Sequence, residues 1–205
     1  MSQLNILELN PSHAFSVKEP ADNSLNITVI DEYELETTDL SPYNVLYITE
    51  FIDQEYLLNH KELISQFLNN GKVVVFCGHL FRDWLPGCSL MMPTRINSYK
   101  DYYVQPVPGA SLFEGVEVED MVYNKGVAGF FARGYYQAPK DAEVCLTFTD
   151  GKVITYIDRH TTNGTVIVHS GRSLLGYKSE RKTTGKIRTQ MLALLEQEVV
   201  QEEVK

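Results

Sequence analysis

The chain has 205 residues, 43% hydrophobic and 22% charged, enough for one α/β domain with a well-covered sheet. Its formal net charge of -9, from 27 acidic against 18 basic residues, argues against nucleic acid or an anionic membrane as partner, because both need a basic face to offset phosphate repulsion. Three cysteines cannot all pair within one chain, the start MSQLNILELN has no signal-peptide pattern, and no apolar run reaches the ~20 residues of a membrane helix, so the expectation is a cytoplasmic protein with reduced thiols.

LNILEL at 4–9 reads as a first strand, followed by a loop rich in Pro, Ser and Asn that carries His13. LNITVI at 25–30 is a second strand, and YNVLYIT at 43–49 a third, apolar on both faces as in a buried parallel sheet. Leu57, Leu58, Ile64, Phe67 and Leu68 recur at helical spacing over 53–69, and Asn69-Asn70-Gly71 stops the helix. KVVVFC at 72–77 completes a strand–helix–strand unit, which implies a parallel pair joined by a right-handed crossover.

From Gly78 to about Ala142 the glycines, prolines and tyrosines show little periodicity, which predicts loops and short strands along one edge of the sheet. Asp150-Gly151 then separates two β-rich runs, 143–149 and 153–158, and predicts an antiparallel hairpin. A further strand covers 165–169, and a helix covers roughly 184–198. The expectation is one domain over 1–199, with 200–205 a frayed tail.

Ligands of open α/β sheets collect beyond the carboxyl ends of the strands. That rule selects Cys77 and His169, which end predicted strands, with Gly78, His79, Glu50, Asp53 and Arg172 beside them and His13 a weaker candidate. A thiol next to an imidazole can form a thiolate–imidazolium pair, whereas a buried cysteine behaves as a small hydrophobe. Arg172 is placed to bind a carboxylate or phosphate, or to close a salt bridge. The C-x-H-x8-C spacing of Cys77, His79 and Cys88 matches no structural zinc pattern, and no Walker A or G-x-G-x-x-G motif occurs, so neither metal nor cofactor is expected. Lys178, Arg181, Lys182, Lys186 and Arg188 read as a solvated face, and Arg82 with Asp83 as a surface pair.

DLSPYNVLYIT, LISQFLNNGKVVVFCGH, SLFEGV at 111–116 and AEVCLTFTDGKVITYIDRHTTNGTVIVHSG resemble the class I glutamine amidotransferase-like superfamily, its trehalose-utilisation-type branch included. The resemblance implies a flavodoxin-like α/β three-layer sandwich, with a mainly parallel central sheet and an antiparallel hairpin extension. It also implies a nucleophile in a G-x-C-x-G elbow and a base followed by glutamate in an H-x-E pattern. Here the first motif reads Val75-Phe76-Cys77-Gly78-His79 and the second His169-Ser170-Gly171. The nucleophile and base positions are kept, while the elbow glycines and the orienting acid are not.

The reading is therefore a non-glutaminase binding or accessory module, a pseudoenzyme, taking a small polar ligand or a protein partner. It would work as a homo-oligomer or as a subunit of a larger assembly. The alternatives are a cysteine hydrolase or amidotransferase with a Cys77–His169 dyad, and an interaction protein using the aromatic 99–136 region.

Overall fold

Val45–Ile48 and Val73–Cys77 contain no strongly polar position, and both segments are buried along their whole length. They form the middle of an eight-stranded sheet in the computed structural model, which describes residues 3–11, 26–124 and 126–202. His13 and the loop around it lie outside the described residues.

In chain order the elements begin with β1 (Ile6–Asn10), β2 (Ile27–Asp31), β3 (Val45–Ile48), α1 (Gln54–Asn59), α2 (Lys61–Asn69) and β4 (Val73–Cys77). The middle region supplies β5 (Met92–Pro93), β6 (Val104–Pro106), α3 (Val118–Val122), β7 (Tyr123–Asn124), β8 (Val127–Ala128) and β9 (Gly134–Tyr135). β10 (Glu143–Phe148), β11 (Val153–Asp158), β12 (Thr165–His169) and α4 (Gly185–Glu202) close the fold.

The strand order is β2-β1-β3-β4-β12-β11-β10-β6. β2, β1, β3, β4 and β12 run parallel, and β11, β10 and β6 extend the sheet antiparallel. The α/β flavodoxin-like class and the hairpin extension are as expected. Alternation along the strands makes two cores. Val45, Tyr47, Val75, Cys77 and Ile167 face Ile187, Met191 and Leu195 of α4. Leu46, Ile48, Val74, Phe76 and Val168 face Leu57 of α1 and Ile64, Phe67 and Leu68 of α2.

The single helix expected over 53–69 is two helices. His60 ends α1 and begins α2 with φ -114° and ψ 17°. Its Nδ1 donates to the Tyr56 carbonyl at 2.8 Å, and its ring lies 4.1 Å from the Tyr56 ring. A side chain that bonds to its own helix competes with the backbone ladder there. At the other end, α4 continues through Glu202, past the expected limit at 198. The predicted basic face is not a free one: Lys182 donates to the Tyr123 carbonyl, Lys186 to that of Gly115 and Arg188 to that of Leu175.

α4 is fastened to the sheet by Glu198, 2% exposed, which takes a two-pronged hydrogen bond from Arg159 at 2.9 and 2.6 Å. Thr165 Oγ1 donates to the same carboxylate, and Arg159 also reaches Glu143 at 2.8 Å. Glu198→Ala leaves Arg159, whose side chain is 26% exposed, without its buried partner. We expect a loss of about 3 kcal/mol, at the low end for a broken buried pair because the arginine regains some water. Urea unfolding measures it, and a loss below about 1 kcal/mol would put the pair with screened surface bridges.

Candidate functional site

His169 and Cys77 end β12 and β4, and Thr155 stands beside His169 within β11, all three in register across the sheet. Neighbouring strands lie about 4.8 Å apart, so residues in register project onto the same face as near neighbours. The sheet thus places the thiol beside the imidazole. It does not join them. His169 Nδ1 bonds to Thr155 Oγ1 at 2.8 Å, and its Nε2 has no hydrogen-bond partner among the described residues. The Cys77 sulfur instead lies 3.3 Å from the Tyr47 hydroxyl, which is also 3.0 Å from Ser173 Oγ and accepts the Leu175 N–H.

Both groups are wholly buried, at 0% exposure. Burial pushes the Cys77 thiol up to about 12, against smaller opposite pulls from the Tyr47 and Leu174 hydrogen bonds. Burial also drives His169 down to about 3, helped by the charge of His79. Each group is therefore held neutral, the opposite of a thiolate–imidazolium pair.

The surrounding backbone is equally committed. Gly78 holds φ 152°, in the range that favours glycine, and a Cβ there would sit 3.1 Å from the Phe76 ring. Its N–H donates to the His169 carbonyl at 2.9 Å. Its own carbonyl accepts the Tyr136 hydroxyl at 2.6 Å, and Tyr136 accepts the Leu80 N–H in turn. Gln54 takes the Phe81 and Arg82 N–H groups and donates to the His79 carbonyl. Little of the turn after β4 is left to serve as an oxyanion hole.

At Gly171, where the H-x-E pattern has its acid, a Cβ would lie 2.0 Å from the Phe131 carbonyl oxygen and 2.6 Å from His169 Nε2. Ala132 bridges Gly171 in antiparallel fashion, so the chain around Phe131 crosses the end of β12. The Phe131 ring packs 5.2 Å from the His169 ring. The missing acid is thus more than a substitution, because its place is filled by backbone.

The other predicted residues divide between structural and open roles. Asp53 caps α1: one oxygen accepts the Glu55 and Tyr56 N–H groups and the other the Tyr33 hydroxyl. Glu50 accepts the Ser173 N–H at 2.8 Å and pairs with Arg172 Nε at 3.4 Å, so Arg172 does make a salt bridge. His79, half-buried beside Gly78, makes no ring hydrogen bond among the described residues, and its pKa is lowered by burial and then by Arg133. Arg82 pairs with Glu55 rather than with Asp83. Cys88 belongs to the core on the opposite face from Cys77, so the two cannot share a metal. The aromatic 99–136 region is mixed, with Phe131 and Tyr136 buried while Tyr99 and Phe130 are exposed. A shallow concavity of about 420 Å³ lies by the β10–β11 turn, and neither Cys77 nor His169 lines it.

Sequence reasoning missed Tyr47, Thr155 and Arg133. Tyr47 and Thr155 lie inside apolar strands, where only strand order and register reveal their neighbours. Arg133 lies in the stretch without periodicity.

No protein-family model matches the chain and no curated protein does. Among solved structures it is similar to a cytoplasmic protein from Salmonella typhimurium, with TM-score 0.54 and 14% identity over 82% of this chain and 81% of that one. It is also similar to the mmIFT52 N-terminal domain, with TM-score 0.52 and 11% identity over 97% of each chain. The third is a glutamine amidotransferase from Thermotoga maritima, with TM-score 0.50 and 9% identity over 100% of this chain and 87% of that one. These likenesses show a shared α/β fold, the last of them a distant structural relationship to a glutamine amidotransferase. At such identities they carry the fold alone.

Among the described residues, no helix is long and apolar enough to cross a membrane.

Proposed function

We propose that this protein is a non-glutaminase on an amidotransferase-like fold, acting as a binding or accessory module through the carboxyl edge of its sheet. The observation that carries the reading is the Cys77 thiol, fully buried, bonded to Tyr47 and pushed up to about 12. A nucleophilic cysteine needs the reverse, a depressed pKa, a base in contact and access to substrate. The sequence resemblance puts the chain near the trehalose-utilisation-type branch, as a single domain over 1–199. Its acidity fits a small polar ligand or a protein partner better than nucleic acid or membrane, and its three free buried cysteines fit a reducing cytoplasm. Assembly with itself or in a larger complex accords with a module that has no chemistry of its own. The dyad alternative has no supporting contact among the described residues, where His169 Nε2 has no hydrogen-bond partner and Nδ1 bonds to Thr155.

The test is chemical. In the native protein at neutral pH, iodoacetamide should leave Cys77 unmodified, while the urea-unfolded chain should be modified at Cys77, Cys88 and Cys145. Glutamine should release no ammonia above background, equally in the wild type and in Cys77→Ala. Ammonia release that disappears in Cys77→Ala would overturn the reading and restore the dyad.

A further inference from the structure

The carboxyl edge also carries a cluster of basic groups that no structural role exhausts. Arg133 donates through Nε to the Gly129 carbonyl at 2.6 Å and lies over the Phe130 ring at 5.8 Å. Arg172 is held through Nε by Glu50 at 3.4 Å, with its side chain 61% exposed. In both, the terminal nitrogens Nη1 and Nη2 have no hydrogen bond among the described residues. Each guanidinium is thus tethered at its base with its fork open.

Topology brings the two arginines to the same stretch of this edge. Ala132 and Gly171 form the antiparallel bridge, and Arg133 and Arg172 are the residues that follow them. The bridge makes the backbones that carry the two arginines neighbours. His79 stands in the same group, near enough to Arg133 and Glu50 to feel both charges. With His79 neutral, two guanidinium groups against one carboxylate leave the cluster positive, on a chain whose net charge is -9. Glu50 is already engaged by the Ser173 N–H and by Arg172.

We propose that Arg133 and Arg172, with His79 beside Arg133, form a binding site for the terminal oxyanion of a small molecule, a carboxylate or a phosphate. This rests on the reading of the carboxyl edge as a binding surface and names the chemistry it takes. Planar guanidinium forks recognise both groups by paired hydrogen bonds, which a lysine ammonium cannot reproduce. The site is open rather than enclosed, so it holds the charged end of the ligand, and its affinity falls as salt rises. The Phe130 ring beneath Arg133 keeps the fork in position.

Titration of the full chain with inorganic phosphate and, separately, with succinate tests this, followed through the His79 ring resonances by NMR. At least one anion should give a saturable shift and raise the pKa of His79, because a bound negative charge favours the imidazolium. The anion that saturates identifies which source of the oxyanion the site prefers. Arg133→Gln and Arg172→Gln, both at exposed positions, should each weaken binding about tenfold or more, the value of one lost charged hydrogen bond. The exposed Lys140→Gln, elsewhere on the surface, should change nothing. A His79 that responds to neither anion, or a response that survives both arginine substitutions, would overturn the proposal. Neither result touches the non-glutaminase reading, which stands or falls on Cys77.

Discussion

Gly171→Ala is expected to cost about 3 kcal/mol or more, at the upper end of what overpacking a filled site brings. The added Cβ would lie 2.0 Å from the Phe131 carbonyl oxygen and 2.6 Å from His169 Nε2, closer than any real contact. Neither neighbour yields easily. Phe131 is 2% exposed and adjoins the Ala132–Gly171 bridge, while His169 is held by Thr155. Gly171→Glu, which would recreate the H-x-E pattern, must also bury a carboxylate and should abolish folding rather than restore a triad. Chemical unfolding of the alanine variant and the soluble yield of the glutamate variant measure both effects. If Gly171→Ala lies within about 0.5 kcal/mol of the wild type, as ordinary surface substitutions do, the segment across β12 gives way and the site is not sealed.

Acid should unfold this protein from an unusually high starting pH, and His169 is the reason. Its ordinary value of 6.5 falls to about 3 in the folded chain, chiefly through burial. The unfolded chain therefore binds the proton first, and stability rises with pH wherever it does so. The contribution is fully present above about 6.5 and is lost progressively as pH falls toward about 3. With ~1.4 kcal/mol per unit as the upper slope, a loss of several kcal/mol accumulates across that window. Asp39, Asp101, Asp120 and Asp150, lowered from 3.8 mainly by hydrogen bonds, add acid sensitivity only near the bottom of it. His79, lowered by burial, works in the same direction, so its variant is the necessary control. Urea midpoints measured from pH 7 to pH 4 should fall for the wild type and for His79→Asn. They should be much flatter for His169→Leu, which has no proton to bind. Parallel curves for the wild type and His169→Leu would mean that His169 is already protonated in the fold.

The fold was largely legible. Apolar positions on both faces at 43–49 and 72–77 marked two central strands, and these pair in parallel as β3 and β4. Asp150-Gly151 marked the hairpin, and 165–169 proved to be β12 to the residue. The helix break at His60 escaped notice because the apolar spacing runs through it unchanged. There the His60 side chain turns back onto the Tyr56 carbonyl.

The site was legible only as a set of strand ends. That Cys77 and His169 each close a strand could be read from where their apolar runs stop. That their strands are neighbours in register, with Thr155 on the far side of the imidazole, is a fact of strand order. Arg82 shows the same limit on the surface: its sequence neighbour Asp83 was the obvious partner, and the turn after β4 delivers it to Glu55 of α1 instead.

By itself, then, the sequence determined the periodicities, and with them the α/β class, the parallel core and the hairpin, because alternation at two and at 3.6 residues is a local property of the chain. It also determined the absence of the elbow glycines and of the acid after His169. Only the tertiary structure decided what Cys77 is. A thiol becomes a nucleophile or a core atom according to which groups share its space, and those groups, Tyr47, Ser173 and Leu174, come from distant parts of the chain. The same holds for Phe131, whose backbone fills the place of the missing acid from 40 positions earlier in the chain. Contacts of that range leave no local pattern. They are selected by how the sheet and its covering loops pack, and that packing buries Cys77.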